Sequence, residues 1–420
     1  MYPRLEYSKI YQSKDQNEIT IILGPRQVGK TTILKKLTEE LNGLYLDLDI
    51  LSNYEKVKSY EDFLNTVKIK GYQEKQKNRF YIFLDEFQRY RDLTMVFKNI
   101  YDHHPNIKIF ASGSSSFTIK NQIQESLAGR KKIFNLFPLS FEEYLTFNER
   151  EDLLKELKNL RKLKKAKNLE NNKKLYSHME DFIIYGGYPG VVLEKNPEEK
   201  KEKLRSIFDA YIKKDLVDYL KIENFLGAKK LIETLAINNG QISIYNNYAQ
   251  KSNINAITVK NYIELLKETF VIVELKPFFT NKNKEVTKAP KIYFLDSGAR
   301  NFFINNFNPL RLRADASFLF ENFFISELYK SGAKPDQLKY YRDKNQVEVD
   351  LVYDLVHKQI PIEIKYKTGS KHDDFGGLKK FIKEYNPESA YLVNLSDIGS
   401  AEIKDFDQIQ YLSCFSQPRD

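Results

Sequence analysis

Gly24-Pro25-Arg26-Gln27-Val28-Gly29-Lys30-Thr31 carries glycine, lysine and threonine at the spacing G-x-x-x-x-G-K-[ST], with Thr32 next in line. Glycines let backbone N–H groups close around phosphate oxygens, a lysine at this offset neutralises β- and γ-phosphates, and the threonine hydroxyl ligates Mg²⁺. A second run, Phe80-Tyr81-Ile82-Phe83-Leu84-Asp85-Glu86, ends in two carboxylates. Asp85 is placed to serve the metal, and Glu86 to position the lytic water as general base. Ser112, at the tip of Ile107-Lys108-Ile109-Phe110-Ala111, reads either as a γ-phosphate sensor or as a plain Gly/Ser turn with Gly113 to Ser116. Arg130 reads as a transition-state finger, in cis or offered to a neighbouring subunit, or as a surface cation.

A separate set lies in the last third of the chain: Glu321, Asp350, Glu363 and Lys365. The runs 347–352 and 359–365 alternate as strands do, so Glu363 and Lys365 share a face that Asp350 joins from a neighbouring strand. Glu321 belongs to a preceding helix. Clustered carboxylates bind hard divalent cations, and a lysine beside them orients or deprotonates a water for phosphodiester attack. An exposed strand with Glu and Lys at alternate positions is the plainer reading of the same pattern.

The elements that position the first set follow from periodicity. Ile19-Thr20-Ile21-Ile22-Leu23 reads as a buried strand, and Ile33, Leu34, Leu37 and Leu41 as one face of a helix stopped at Gly43. Leu44 to Leu48, Phe80 to Leu84 and Ile107 to Ala111 add strands, separated by stretches long enough for βαβ crossovers. In the middle of the chain, Leu153, Leu157, Leu160 and Leu163 form a helical stripe. The surrounding Lys155, Lys158, Arg161, Lys162, Lys164, Lys165 and Lys167 read as a phosphate path or as a solvated face. Helical patterns at 228–238, 245–251 and 256–269 precede two strands at 270–275 and 291–295, the order of a winged helix-turn-helix. In a DNA-reading version Thr258, Lys260 and Asn261 face a groove and Lys282, Lys284 and Lys288 meet phosphate; winged helices also connect proteins.

The whole chain bounds these readings. Its 420 residues call for two to four domains, and 67 Lys+Arg against 57 Asp+Glu give a formal charge of +10, which favours an anionic partner such as nucleic acid. Cys414 is the only cysteine, which excludes a disulfide framework and fits a reducing compartment. No stretch approaches the roughly 18 uncharged apolar residues of a membrane span, and Met1 to Tyr7 lacks an apolar signal core, so a cytoplasmic protein is expected.

With Gly24 to Thr32, Leu84 to Gln88, Ser112 to Ser114, Ala128-Gly129-Arg130, Phe137 to Tyr144, Gly186 to Pro189 and Lys291 to Gly298, the chain resembles AAA+-superfamily ATPases of archaea and bacteria with a C-terminal domain of uncharacterised type. That resemblance implies ATP and Mg²⁺. The family more often has threonine at position 112; the hydroxyl is kept. Asp350 with Glu363-Ile364-Lys365 resembles the core of restriction-endonuclease-like nucleases, implying Asp350 and Glu363 as ligands of a second Mg²⁺ or Mn²⁺, Lys365 serving the nucleophile and Glu321 supporting the site. The expected fold is α/β: a P-loop NTPase core with an AAA+-like parallel sheet at 1–148, a helical insertion and lid at 149–227, a winged helix-turn-helix at 228–295 and a restriction-endonuclease-like domain at 296–420. Expected partners are ATP, DNA, and a further copy or another protein, with no membrane. A nucleotide-gated switch or scaffold that binds without cutting is the alternative.

Overall fold

Long apolar runs set the first layer of structure. In the computed structural model, which describes residues 2–90, 92–114, 123, 125–163, 165, 172–213, 224–281, 283, 285, 288–416 and 418, the contacts divide the chain into two compact units. One comprises Met1–Pro138 with Glu268–Phe270, the other Leu139–Lys267 with Val271–Asp420.

The first unit is built on strands β1 (Ile19–Gly24), β2 (Leu44–Asp47), β3 (Phe80–Asp85), β4 (Ile107–Ser114) and β5 (Lys131–Asn135), in the order β2-β3-β4-β1-β5. Every pairing is parallel. Parallel sheets carry helices on both faces, so their inner strands are continuously apolar; β1 is buried along its whole length. The helix Lys30–Leu41 packs Ile33, Leu34 and Leu37 inward and ends on Asn42 in the left-handed region. Sequence periodicity alone does not reveal β5. Its Lys131-Lys132-Ile133-Phe134-Asn135 is polar and mostly exposed, as an edge strand should be.

The second unit carries β6 (Ile272–Pro277), β7 (Lys291–Phe294), β8 (Leu338–Arg342), β9 (Glu348–Asp354), β10 (Gln359–Ile364), β11 (Ala390–Asn394), β12 (Gly399–Ser400) and β13 (Ile409–Ser413). They form one mixed sheet in the order β12-β13-β11-β10-β9-β8-β6-β7. Three helices, Phe225–Ile237, Tyr245–Ser252 and Ala256–Glu268, come before the antiparallel β6–β7 pair. Because β6 also pairs with β8, that pair and the C-terminal strands share a sheet. Helix Gly376–Tyr385 lays Leu378, Phe381 and Ile382 on Val349, Val352 and Leu392. At its start Gly377 is required: a Cβ there would stand 2.0 Å from Glu348 O.

The leucine stripe is shorter than expected. Leu153, Leu157 and Leu160 are buried, but the helix stops at Leu160 and Leu163 is 41% exposed. Ser115, Ser116, Lys164, Lys167, Lys282, Lys284 and most of 211–223 lie outside the described residues. No helix among the described residues is long and apolar enough to cross a membrane.

Candidate functional site

The chain leaves β1 at Gly24 and re-enters regular structure at Lys30. A Cβ on Gly24 would meet Leu136 O at 2.1 Å, and Gly29 sits at φ +99°, so both glycines are sterically required. Gln27 is also left-handed, at φ 60°. Successive turns of this hand point backbone N–H groups into one concavity, a nest for anions. Pro25 and Val28 are buried, Arg26 and Thr31 half-buried, and Gln27 and Thr32 exposed. Lys30 is only 5% exposed and arches over the loop, its Nζ donating to Gly24 O (3.0 Å) and Pro25 O (2.7 Å).

The sheet brings Asp85 and Ser112 together. β4 lies between β1 and β3, which puts Ser112 opposite Ile22 of β1 and within reach of the end of β3. Asp85, buried, accepts the Ser112 hydroxyl and the Glu86 backbone N–H (3.1 Å) on Oδ1, and the Tyr45 hydroxyl (2.9 Å) on Oδ2. Ser112 thus donates its proton to the carboxylate. Glu86 is left-handed at φ 57°, which turns its side chain away from the strand line, and its Oε2 accepts from Gln88 Nε2.

Two contributors have no motif to announce them. Tyr45 holds Asp85, and Arg4 donates from Nη1 to Val28 O (2.5 Å) and from Nη2 to Phe137 O (2.7 Å), tying the loop's outer side to the segment after β5. Arg130 needs correction as a ligand of the nucleotide in its own chain. Ile19 N–H donates to Arg130 O at 2.8 Å, so Arg130 stands where β1 begins, whereas the loop leaves where β1 ends. Six residues of strand separate them, about 20 Å. Its guanidinium instead forks onto Asp102, Nε to Oδ1 at 2.7 Å and Nη2 to Oδ2 at 3.1 Å.

The residues fit a Mg-nucleotide: an anion nest, a buried lysine over it and a buried carboxylate held by three donors. Lys30 and the loop N–H groups suit the phosphates, and Thr31 and Asp85 suit the metal. Held by Thr31 and Asp85, Mg²⁺ would supply positive charge toward the phosphates.

The second set also assembles, with additions. β9 and β10 run antiparallel with Leu351 opposite Ile362; continuing that register sets Asp350 opposite Glu363. Asp350 Oδ2 accepts the Ile364 N–H (2.8 Å), and Lys365 Nζ reaches Glu363 Oε1 (2.5 Å) and Asp350 Oδ2 (3.8 Å). Glu321, on helix Ala316–Lys330, accepts from Tyr293 OH (2.5 Å) and lies 3.5 Å from Lys291 Nζ, which also pairs with Glu348 (2.5 Å). Lys291 and Tyr293, on β7, join the cluster although sequence pattern gives them only as part of a wing strand and of the family resemblance.

Burial raises the Glu321 carboxyl to about 7, with Lys291 opposing and Asp350 adding to the rise. Burial, then the charge of Asp350, holds Glu363 well above the carboxylate range against the pull of Lys365. For Lys365 burial works against the charge, but Asp350 and Glu363 outweigh it and keep the ammonium protonated. Lys365 thus stands as an ammonium beside the two acids. Among the described residues, no three Asp, Glu, His or Cys side chains stand together in a metal-ready group; lysines sit between the acids. One observation does fit a cation, since Glu363 Oε2 is buried without a hydrogen-bond partner. On the helix Ala256–Glu268, Lys260 and Asn261 are exposed and Thr258 is half-buried, and Lys288 is exposed.

Comparison with known proteins agrees with the first unit. Residues 16–145 match the model of an AAA domain, residues 176–310 a domain of unknown function (DUF8612), and residues 316–415 another (DUF4143). With its strand order and loop, the first unit is an AAA-type P-loop ATPase domain. An uncharacterized protein of Methanocaldococcus jannaschii is 26% identical over 400 residues, 92% of this chain and 84% of that protein. A second from the same organism is 28% identical over 311 residues, 68% of this chain and 62% of its own length. Among solved structures, a Walker-type ATPase of Pyrococcus abyssi aligns over 72% of this chain and 96% of its own, at 16% identity and a TM-score of 0.48.

Proposed function

We propose that the protein hydrolyses ATP at Lys30, Thr31, Asp85 and Glu86 and couples this to action on DNA through a winged helix at 228–295 and a restriction-endonuclease-like domain at 296–420. The helical segment 149–227 serves as lid, and the protein works in the cytoplasm. The observation that carries the ATPase half is Asp85, buried at the end of β3 and held by Tyr45, Ser112 and the Glu86 N–H. A carboxylate fixed by three donors is pre-oriented for a metal-side role. Glu86, next in the chain, positions the water.

The observation that supports the DNA half is Glu363, whose Oε2 is buried without a partner beside Asp350 and Lys365. Asp350 and Glu363 would hold Mg²⁺ or Mn²⁺, with Glu321 in support; the ion supplies Lewis acidity toward a phosphodiester. Lys365, protonated, orients the attacking water. A switch or scaffold whose C-terminal domain binds without cutting is the second reading, favoured by the pairing of Lys291 and Lys365 with these acids. The experiment incubates the protein with single-stranded and duplex DNA, ATP, and Mg²⁺ or Mn²⁺, against Lys365→Ala and Lys30→Ala. Metal-dependent cleavage lost in Lys365→Ala supports the nuclease; equal cleavage by both, or none by either, supports the scaffold.

A further inference from the structure

Between the segment that follows β6 and the turn from β8 to β9 lies an open cleft of about 860 Å³. Lys288, Arg342, Lys344 and Lys380 line it, together with the rings of Phe279 and Tyr385. Lys288 and Lys344 are exposed, and the side chains of Lys380 and Arg342 are 46% and 33% exposed. The two acids in the lining are engaged within the protein. Glu384 accepts the Tyr341 hydroxyl at 2.6 Å, and Asp343 accepts the N–H groups of Asn345 (2.8 Å) and Val347 (2.9 Å) on Oδ1 while its Oδ2 lies 4.0 Å from Lys380 Nζ. The cleft therefore presents Lys288, Lys344 and Lys380 to solvent, with Glu384 the exposed acid of its lining.

The cleft adjoins the acid–lysine cluster. Arg342 lies 3.7 Å from Glu348, whose other oxygen is 2.5 Å from Lys291 Nζ. Lys291 in turn sits 5.5 Å from the ring of Tyr340, another lining residue. We propose that this cleft holds a single strand of DNA and leads it to Asp350 and Glu363. The inference rests on the DNA reading above and names its substrate form. Four cations on a concave wall match a phosphate backbone, and half-buried aromatic rings stack bases without regard to sequence.

The test is fluorescence anisotropy with labelled single-stranded and duplex oligonucleotides over a salt series. Wild type is compared with the triple variant Lys288→Glu/Lys344→Glu/Lys380→Glu. The variant should bind the single strand at least about tenfold more weakly, and the slope of log K against log salt should become shallower by about 2, near 0.7 for each lost phosphate contact. Circular dichroism and the melting midpoint verify folding, and the corresponding Lys→Gln set serves if charge reversal disturbs it. Single-strand binding with an unchanged slope in the variant overturns the cleft and leaves the DNA reading standing. No binding of any DNA by wild type overturns both. A loss confined to the duplex overturns the single-strand assignment. Cleavage abolished in Lys365→Ala while strand binding persists leaves the cleft intact.

Discussion

Tyr45 donates its hydroxyl to Asp85 Oδ2 at 2.9 Å, joining the ends of β2 and β3 across the register that pairs Asp47 with Asp85. Burial first, then the charge of Asp85, raises the phenol far above its ordinary range, so it stays a donor. Hydrogen bonds to charged groups contribute about 1.5–3 kcal/mol. Tyr45→Phe should therefore lower kcat for ATP by roughly tenfold with KM little changed, and Ser112→Ala should do the same from the other oxygen. Steady-state kinetics decide; undiminished kcat in both variants removes these residues from the task of orienting Asp85.

The proposed roles of Lys30 and Glu86 separate binding from turnover. Lys30 is buried over the loop with its charge directed at two carbonyls, so Lys30→Ala should abolish ATP binding and turnover together while circular dichroism stays unchanged. Glu86→Gln keeps the shape and removes the proposed base, a role that contributes about 10²–10⁴-fold in proton transfer. It should bind ATP and turn it over at least a hundredfold more slowly. Calorimetry beside a phosphate-release assay shows whether the two effects divide in this way.

What could be read from the sequence depended on whether a signal is local. β1, β3 and β4 showed themselves because strands buried on both faces are continuously apolar. Gly24 to Thr31 showed itself because its chemistry needs consecutive residues. β5 was hidden by its edge lysines. Tyr45 and Arg4 were hidden because their roles come from strand order and from a contact 24 residues along the chain. The distance of Arg130 from the loop follows from parallel register, which no local pattern encodes. Lys291 and Tyr293 join the acid cluster only because a sheet and a helix bring residues 28 and 30 positions apart together.

Arg130 lies at the opposite end of β1 from the phosphate loop and is forked onto Asp102. Arg130→Ala should leave ATP affinity unchanged. An effect on turnover is expected only where a second copy supplies the arginine, in which case turnover per wild-type chain rises with protein concentration while that of Arg130→Ala stays flat. Rates measured over a concentration series test this, and weakened ATP binding by the variant in dilute solution contradicts the placement.

Glu321 makes the second unit's stability depend on pH. Its carboxyl is raised from 4.5 to about 7 by burial, opposed by Lys291 and reinforced by Asp350. The folded protein therefore holds this proton more tightly than the unfolded chain does. The resulting stabilisation is complete below about pH 4.5 and is lost as pH rises through about 7. Glu321→Gln keeps an acceptor for Tyr293 and carries no charge, and Lys291 retains Glu348 at 2.5 Å. The variant should match wild type near pH 4.5 and melt higher than wild type at pH 8, with a flatter profile between. Thermal midpoints across that range check it; parallel curves for the two proteins would mean that Glu321 does not carry the proton.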